Sequence, residues 1–126
     1  IGHMSPRHAL FGRFAARQDD LVNLPASRLT GLLFIAAGWS GNAWRIMRRD
    51  ARRHRSPNAG WPEAAMAGAL DVRLSGPRSY AGVETPEPWL NEGARDPGAA
   101  DLMRGLRIYR RAMVLLGLGL AAALAL

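Results

Sequence analysis

Charge is absent from two stretches of the chain, Leu29 to Trp44 and Ala112 to Leu126, and these set the first expectation for its fold. A helix that crosses the hydrocarbon core of a bilayer needs roughly 20 apolar residues, so each run falls just short of a comfortable span. Their flanks favour a membrane. Trp39 and Trp44 close the first run beside an arginine cluster, and Arg107, Arg110 and Arg111 abut the second; tryptophan and arginine collect where apolar helices leave the bilayer. The expected fold is therefore all-α, with two membrane-associated or transmembrane helices, 29–44 and 112–126. They flank a mostly helical, loop-rich and arginine-rich segment, 45–111. A soluble hairpin whose two apolar runs pack on each other fits the same pattern.

Ahead of the first run, Phe11, Phe14, Leu21, Val22 and Leu24 recur at helical spacing, which makes 5–28 an amphipathic segment. It is expected to close at Asn23-Leu24-Pro25, with the proline opening the next helix. Beyond Trp44 the first helix is expected to continue, with Arg45, Arg48, Arg49 and Arg52 on one face. Ser56-Pro57-Asn58-Ala59-Gly60 then breaks it with turn-forming residues. Trp61-Pro62-Glu63 starts a short helix that runs to Leu70, in which Ala64 and Gly68 form a small-residue face for close packing. Asp71 to Tyr80 alternates apolar and polar only at its start and then turns, and Glu84 to Gly93 is a proline-rich acidic loop, so little regular structure fits there. The last helix restarts at Asp96-Pro97 with Asp96 as its cap, and Leu102, Leu106, Tyr109 and Met113 mark its buried face.

The 126 residues make one domain at most. Ile1-Gly2-His3-Met4 reads as the remnant of a cleaved expression tag, and the abrupt start at Ser5-Pro6-Arg7 reads as a piece of a longer protein. Cysteine is absent, which removes disulfides, thiolate catalysis and cysteine-ligated metals. All 17 basic residues are arginine, against 10 acids, for a formal charge of +7. Thirteen of the arginines lie between Arg45 and Arg111, so the positive-inside tendency makes 45–111 cytoplasmic. Such basicity attracts phosphate, whether on lipid headgroups, nucleic acid or a substrate. The apolar C-terminal run argues against nucleic acid, which leaves a basic nucleic-acid-binding or membrane-surface module without catalysis as the second reading.

Phosphate-loop, dinucleotide, zinc-protease and hydrolase-elbow motifs are all missing. The best constellation is Asp50, His54, Ser56, Asn58 and Glu63 around the arginine-rich helix end, with His54 four residues after Asp50 on a shared face. Asp19 and Asp20 form an acidic pair that suits either magnesium or a solvated helix face.

The run from Arg49 to Leu70, RDARRHRSPNAGWPEAAMAGAL, resembles the signature of the CobD/CbiB proteins of cobalamin biosynthesis. The likeness extends back through Asp19 to Thr30, and forward through Val72-Arg73-Leu74-Ser75-Gly76-Pro77 and Tyr80 to Pro88-Trp89-Leu90 and the final helix. The resemblance implies the C-terminal part of a multi-pass protein of the cell inner membrane, an adenosylcobinamide-phosphate synthase. That enzyme uses ATP to join a propionate carboxylate of adenosylcobyric acid to aminopropanol or aminopropanol phosphate. ATP and Mg2+ are the implied cofactors; membrane lipid and other membrane proteins of cobalamin assembly are the implied partners.

Within this frame, Asp50, His54, Asn58 and Glu63 are catalytic candidates. Arg52, Arg53, Arg55, Ser56, Gly60 and Arg73 are substrate-binding candidates, and Asp19 and Asp20 metal candidates. Asp71 and Ser75 depart from the family pattern, Gly-x-Arg-Leu-Gly-Gly, which has glycine at both places. Arg73, Gly76 and Pro77 are kept.

Overall fold

The structure, a computed structural model, describes residues 9–80 and 82–126. The expected tag remnant, 1–4, and the start of the 5–28 segment lie outside the described residues. Four helices dominate: α1 (Ala9–Gly38), α2 (Gly41–Asp50), α3 (Gly60–Leu70) and α4 (Ala99–Leu124). A 3₁₀ turn, Ala51–Arg53, extends α2. Between α3 and α4, β1 (Leu74–Ser75) pairs antiparallel with β4 (Trp89–Leu90), and β2 (Arg78–Tyr80) pairs with β3 (Val83–Thr85). The fold is thus mostly helical rather than all-α. Strands of two and three residues are too short to show a period of two, which is why the sequence reads there as loop.

The first two helices divide the chain at a different place from the one expected. Pro25 does not open a new helix; α1 runs through it. The turn that follows is held by side chains, with the Ser27 hydroxyl and the Arg28 guanidinium both donating to the Leu24 carbonyl at 3.0 Å. The break falls instead at Trp39, whose φ is +50°, and Ser40 caps α2 by accepting the Ala43 N–H at 3.3 Å. The run 29–44 is consequently not one helix: its first part closes α1 and its last part begins α2. Leu10–Gly38 is long and apolar enough to cross a membrane, and among the described residues it is the one helix that is. The expected pair of flanking spans is met only in its first member: the second run is the end of α4, whose earlier turns carry five arginines or acids from Asp101 to Arg111.

The core lies where α3 meets α1 and α2. Ala64, Ala65, Ala67 and Gly68 of α3 are buried, together with Ile46 and Met47 of α2 and Phe34 and Ala37 of α1. A Cβ on Gly68 would sit 2.7 Å from Ala43 Cα and 2.9 Å from the Asn42 carbonyl oxygen, so glycine is what lets the two backbones meet. Asn42 fastens the contact by donating from its amide to the Gly68 carbonyl at 3.2 Å. The close-packing face expected from Ala64 and Gly68 is therefore present.

Helix α4 turns a different face inward from the one the spacing suggested. Asp101, Ile108 and Ala112 are buried, whereas Leu102, Leu106 and Tyr109 are exposed; of the residues expected on the buried face, Met113 packs against the core. Asp101 sets this rotation. Its carboxylate accepts the Gly98 N–H at 2.9 Å, both Arg95 donors at 2.6 and 2.7 Å, and Arg104 at 3.0 Å. Asp96, the expected cap, pairs with Arg73 at 2.6 and 3.0 Å instead.

Both departures from the glycine pattern fall on left-handed backbone: Asp71 has φ +55° and Ser75 φ +65°. A side chain costs about 1 kcal/mol in that region, and aspartate tolerates it better than serine. Ser75→Gly is expected to raise unfolding stability by about 1 kcal/mol. Gly68→Ala is expected to lower it by about 2 kcal/mol through overpacking against Ala43. Chemical denaturation of the two variants in detergent measures both, and a stabilised Gly68→Ala would refute the close contact.

Candidate functional site: a cationic cleft at the Ser-Pro-Asn turn

Residues 54–59 lead from the 3₁₀ turn into α3, and Gly60 permits the junction. A Cβ there would collide with the Ala51 carbonyl oxygen and lie 2.7 Å from His54 Cβ. Ser56 shapes the turn, its hydroxyl oxygen accepting the Asn58 and Ala59 N–H groups at 3.3 and 3.2 Å. His54 Nδ1 accepts the Ser56 N–H at 2.9 Å. In the neutral ring the proton is thereby assigned to Nε2. The His54 side chain is only 9% exposed, and its Nε2, 3.5 Å from Glu63 Oε2, is buried without a hydrogen-bond partner among the described residues. Glu63 stands in the first turn of α3.

Asn58 ties the turn to α1. Its Oδ1 accepts from the Ser27 hydroxyl at 3.0 Å and from Arg28 Nη1 at 3.1 Å, and its Nδ2 donates to the Asp20 carbonyl at 2.9 Å and to Asp20 Oδ1 at 3.4 Å. The Arg28 guanidinium also lies 4.7 Å from the centre of the Trp61 ring. The result is a cleft of about 390 Å³ lined by Arg28, Arg52, His54, Arg55, Pro57 and Trp61. Arg55 is drawn toward the buried Glu87 carboxylate at 3.5 Å. Three guanidinium groups beside an indole give the cleft the chemistry that binding a phosphate or carboxylate on a less polar body would require.

Of the residues singled out in the sequence, Arg52, His54, Arg55, Ser56, Asn58, Gly60 and Glu63 gather at this turn, and Asp20 joins them through Asn58. Asp50, Arg53 and Arg73 do not line the cleft. Asp50 is fully buried and receives Arg49 Nε and Nη2 at 2.7 Å each, the Asn91 N–H at 2.7 Å, and Arg53 at 3.5 Å. It shares no face with His54, because α2 ends at Asp50 and the chain turns before the histidine. Arg53 also reaches Glu92 at 3.3 Å, and Arg73 lies over the Trp89 ring at 4.3 Å while it pairs with Asp96. Asp19 is exposed, with its carbonyl accepting from Asn23.

Among the described residues no three His, Cys, Asp or Glu side chains cluster to hold a metal. The donor set suits magnesium only in the mode where the ion is carried mainly by phosphates and touched by one or two carboxylates. Asp20 and Glu63 border the turn and can serve in that way; the arginines suit the phosphates themselves.

The model of the CobD/CbiB protein family matches residues 1–109. The chain belongs to the CobD/CbiB family. It is 61% identical to a cobalamin biosynthesis protein CobD of Rhodobacter capsulatus over 98% of its own length and 40% of that protein's. Proteins of the same name in Brucella anthropi and Rhizobium meliloti are 48% and 44% identical, again over 98% of this chain and 41% and 40% of theirs. The chain thus spans about two fifths of the length of these CobD relatives. No solved structure matches it.

Three cleft residues of this CobD/CbiB chain, Arg28, Pro57 and Trp61, were not singled out for the site from sequence, and neither was Ser27, which bonds Asn58. Arg28 offered a signal: it is the only charge between Leu21 and Gly38, and a charge inside an apolar helix usually has a partner. Burial alone would push the Asp50 carboxyl up, but the Arg49 guanidinium, the Asn91 amide and the charge of Arg53 together hold it below the ordinary carboxylate value. A depressed folded-state value contributes stability that is complete above the unfolded value, about pH 4, and is lost as pH falls through the folded one. Asp50→Asn is therefore expected to lower the thermal midpoint at pH 7 and to flatten its fall between pH 5 and pH 2, measured by thermal unfolding across that range.

Proposed function

We propose that this chain is part of a membrane enzyme of cobalamin biosynthesis that joins adenosylcobyric acid to aminopropanol or its O-phosphate through an ATP-dependent amide bond. The product is adenosylcobinamide or its phosphate. The observation that carries this reading is the convergence of Arg28, Arg52, Arg55 and His54 on the Ser-Pro-Asn-Ala-Gly turn that the family resemblance singled out. The names of the CobD relatives support the pathway, and the chemistry of the cleft supports anionic substrates.

In this proposal, Arg28, Arg52 and Arg55 hold phosphate or corrinoid carboxylates by charge-assisted hydrogen bonds. Trp61 covers one wall and keeps water from the carboxyl carbon under attack. His54, with Nδ1 occupied by the Ser56 amide, offers Nε2–H to an anion or to Glu63. Glu63 is then the group that accepts a proton from the acceptor amine, and Asn58 positions Arg28 and Asp20. Asp20, with Asp19 beside it in sequence, and Glu63 are the carboxylates available to magnesium. ATP would supply the activation of the carboxylate, one oxygen of which leaves on a phosphate derived from ATP as the C–N bond forms. Asp50, Arg53 and Arg73 support the site from within the fold. The proposal also places the chain at the inner membrane of a multi-pass parent, held there through Leu10–Gly38, with the cleft beside Arg28 opening to the cytoplasmic side where ATP is found. A nucleic-acid-binding role is not favoured, because the apolar run Ala112 to Leu126 has no part in such binding and the relatives are named as cobalamin biosynthesis proteins.

The decisive assay is conversion of adenosylcobyric acid, ATP and aminopropanol phosphate to cobinamide phosphate by membranes that carry the full-length parent. Arg52→Gln is expected to raise KM for the phosphorylated substrate by roughly tenfold or more, as loss of one charged hydrogen bond implies. Arg48→Gln, which only removes a guanidinium stacked on Trp44, is expected to leave turnover unchanged. A well-expressed parent that forms no product would overturn the proposal.

A further inference from the structure

A second cationic groove lies where the end of α1 meets α4, apart from the cleft at the turn. Ala37, Val114 and Leu115 line it with apolar surface, and Trp39, Arg107, Arg110 and Arg111 complete it, enclosing about 470 Å³. A smaller recess continues from it, where Arg104 joins Arg107 and Arg111 beside Gly38. No carboxylate lines either space. Several arginines elsewhere are neutralised, as in Arg49 with Asp50, Arg73 with Asp96 and Arg95 with Asp101, and Arg104 at the edge of the recess pairs with Asp101. Arg107, Arg110 and Arg111 make no ion pair among the described residues.

Trp39 is the second, independent observation. Its side chain is 91% exposed, and its backbone is left-handed at φ +50°. This is the position after the last helical residue, where glycine is usual and a bulky side chain is strained. Strain kept at a wholly exposed indole points to a partner outside the described chain. Val114 stays exposed in the groove, and beyond it Leu118 and Leu120 stay exposed along α4. The groove therefore offers cations at its head, an indole at its rim and an apolar strip leading away.

From these features we infer that the groove binds a phospholipid with an anionic headgroup. Phosphate meets Arg107, Arg110 and Arg111, the indole lies at the level of the glycerol backbone, and the acyl chains follow Val114 and Leu118. A free phosphate would leave the apolar floor unused. The location agrees, since the groove opens at the end of Leu10–Gly38, the helix long and apolar enough to span a bilayer, and that is the depth at which headgroups lie. The inference is independent of the catalytic reading of the turn.

The test is native mass spectrometry of the full-length parent in detergent, titrated separately with phosphatidylglycerol and phosphatidylcholine. Tighter retention of phosphatidylglycerol is expected. The Arg107→Gln/Arg110→Gln/Arg111→Gln variant should weaken it at least about tenfold, since each arginine near an anionic surface contributes substantially. Retention of phosphatidylcholine should not change. Trp39→Gly separates binding from folding: it should raise Tm by removing the left-handed strain and at the same time weaken phosphatidylglycerol binding several-fold. Equal retention of the two lipids would overturn the inference. So would full displacement by millimolar inorganic phosphate, which would mark a simple anion site. Unchanged phosphatidylglycerol affinity in both variants would do the same, and is the result expected where another segment of the parent covers the groove.

Discussion

The carboxylate of Asp50 is the most deeply enclosed charge among the described residues, and the arrangement around it depends on keeping it satisfied. A buried carboxylate without partners is costly enough to unfold a small domain or to pick up a proton. Here it terminates α2, takes two bonds from Arg49 and one from the Asn91 backbone, and lies near Arg53. Asn91 in turn donates from its side chain to the carbonyls of Ala67 and Val72. One charge thus couples the end of α2, the end of α3 and the segment after β4. An apolar residue of similar size could fill the volume, but it would not specify where the Asn91 segment docks. Because α2 must end where Asp50 meets Asn91, the chain turns at Ala51 and delivers Arg52, His54 and Arg55 to the same side as α1.

The cleft that results has the opposite electrostatic character. Arg28, Arg52 and Arg55 stand around one space, and Glu87, drawn toward Arg55, is the carboxylate that approaches them most directly among the contacts described. Like charges held together in this way repel one another, and an anion between them would relieve that repulsion, which is the physical basis of the proposed phosphate or carboxylate ligand. The rigidity that keeps them together comes from neutral groups: Asn58 bridges Ser27, Arg28 and Asp20, Ser56 ties the turn to itself, and Gly60 lets His54 pack on the start of α3.

Much of this was legible in the residues, and the parts that were not have physical reasons. The short helix to Leu70, its Ala64–Gly68 packing face and the turn at Ser56–Gly60 follow from turn chemistry and small-residue spacing, which are local. The expected glycines at positions 71 and 75 proved informative as well, since both places are left-handed although Asp71 and Ser75 occupy them. Tertiary contacts overrode the rest. Pro25 is carried within α1, whose following turn is supported by the side chains of Ser27 and Arg28. The helix break moved to Trp39, a residue with no local preference for it. The face of α4 was fixed by Asp101 meeting Arg95 and Gly98, not by the leucines. In the site, spacing along the chain gathered the residues of the turn, but the contributions of α1 come from 30 residues away and could not be read from spacing.

Helix α1 joins the two cationic sites, and Arg28 shows how it can do so while remaining apolar. Between Leu21 and Gly38 it is the only charged side chain. A lone guanidinium facing lipid would oppose insertion strongly. Arg28 does not face outward: it donates to Asn58, Ser27 and Leu24 and lies on Trp61. The same side of the helix carries Ser27, Gly31, Phe34 and Ala37, all buried, whereas Leu21, Val22, Leu29 and Leu32 are exposed. The helix is therefore two-sided, with a protein face that supplies a cation to the cleft and an apolar face free to meet hydrocarbon. Its far end, at Gly38 and Trp39, then sits beside the arginines of α4. A single continuous helix through Pro25 is what makes this possible; a break there would leave Arg28 in the first turn of a new helix, free to rotate away from Asn58 and Trp61.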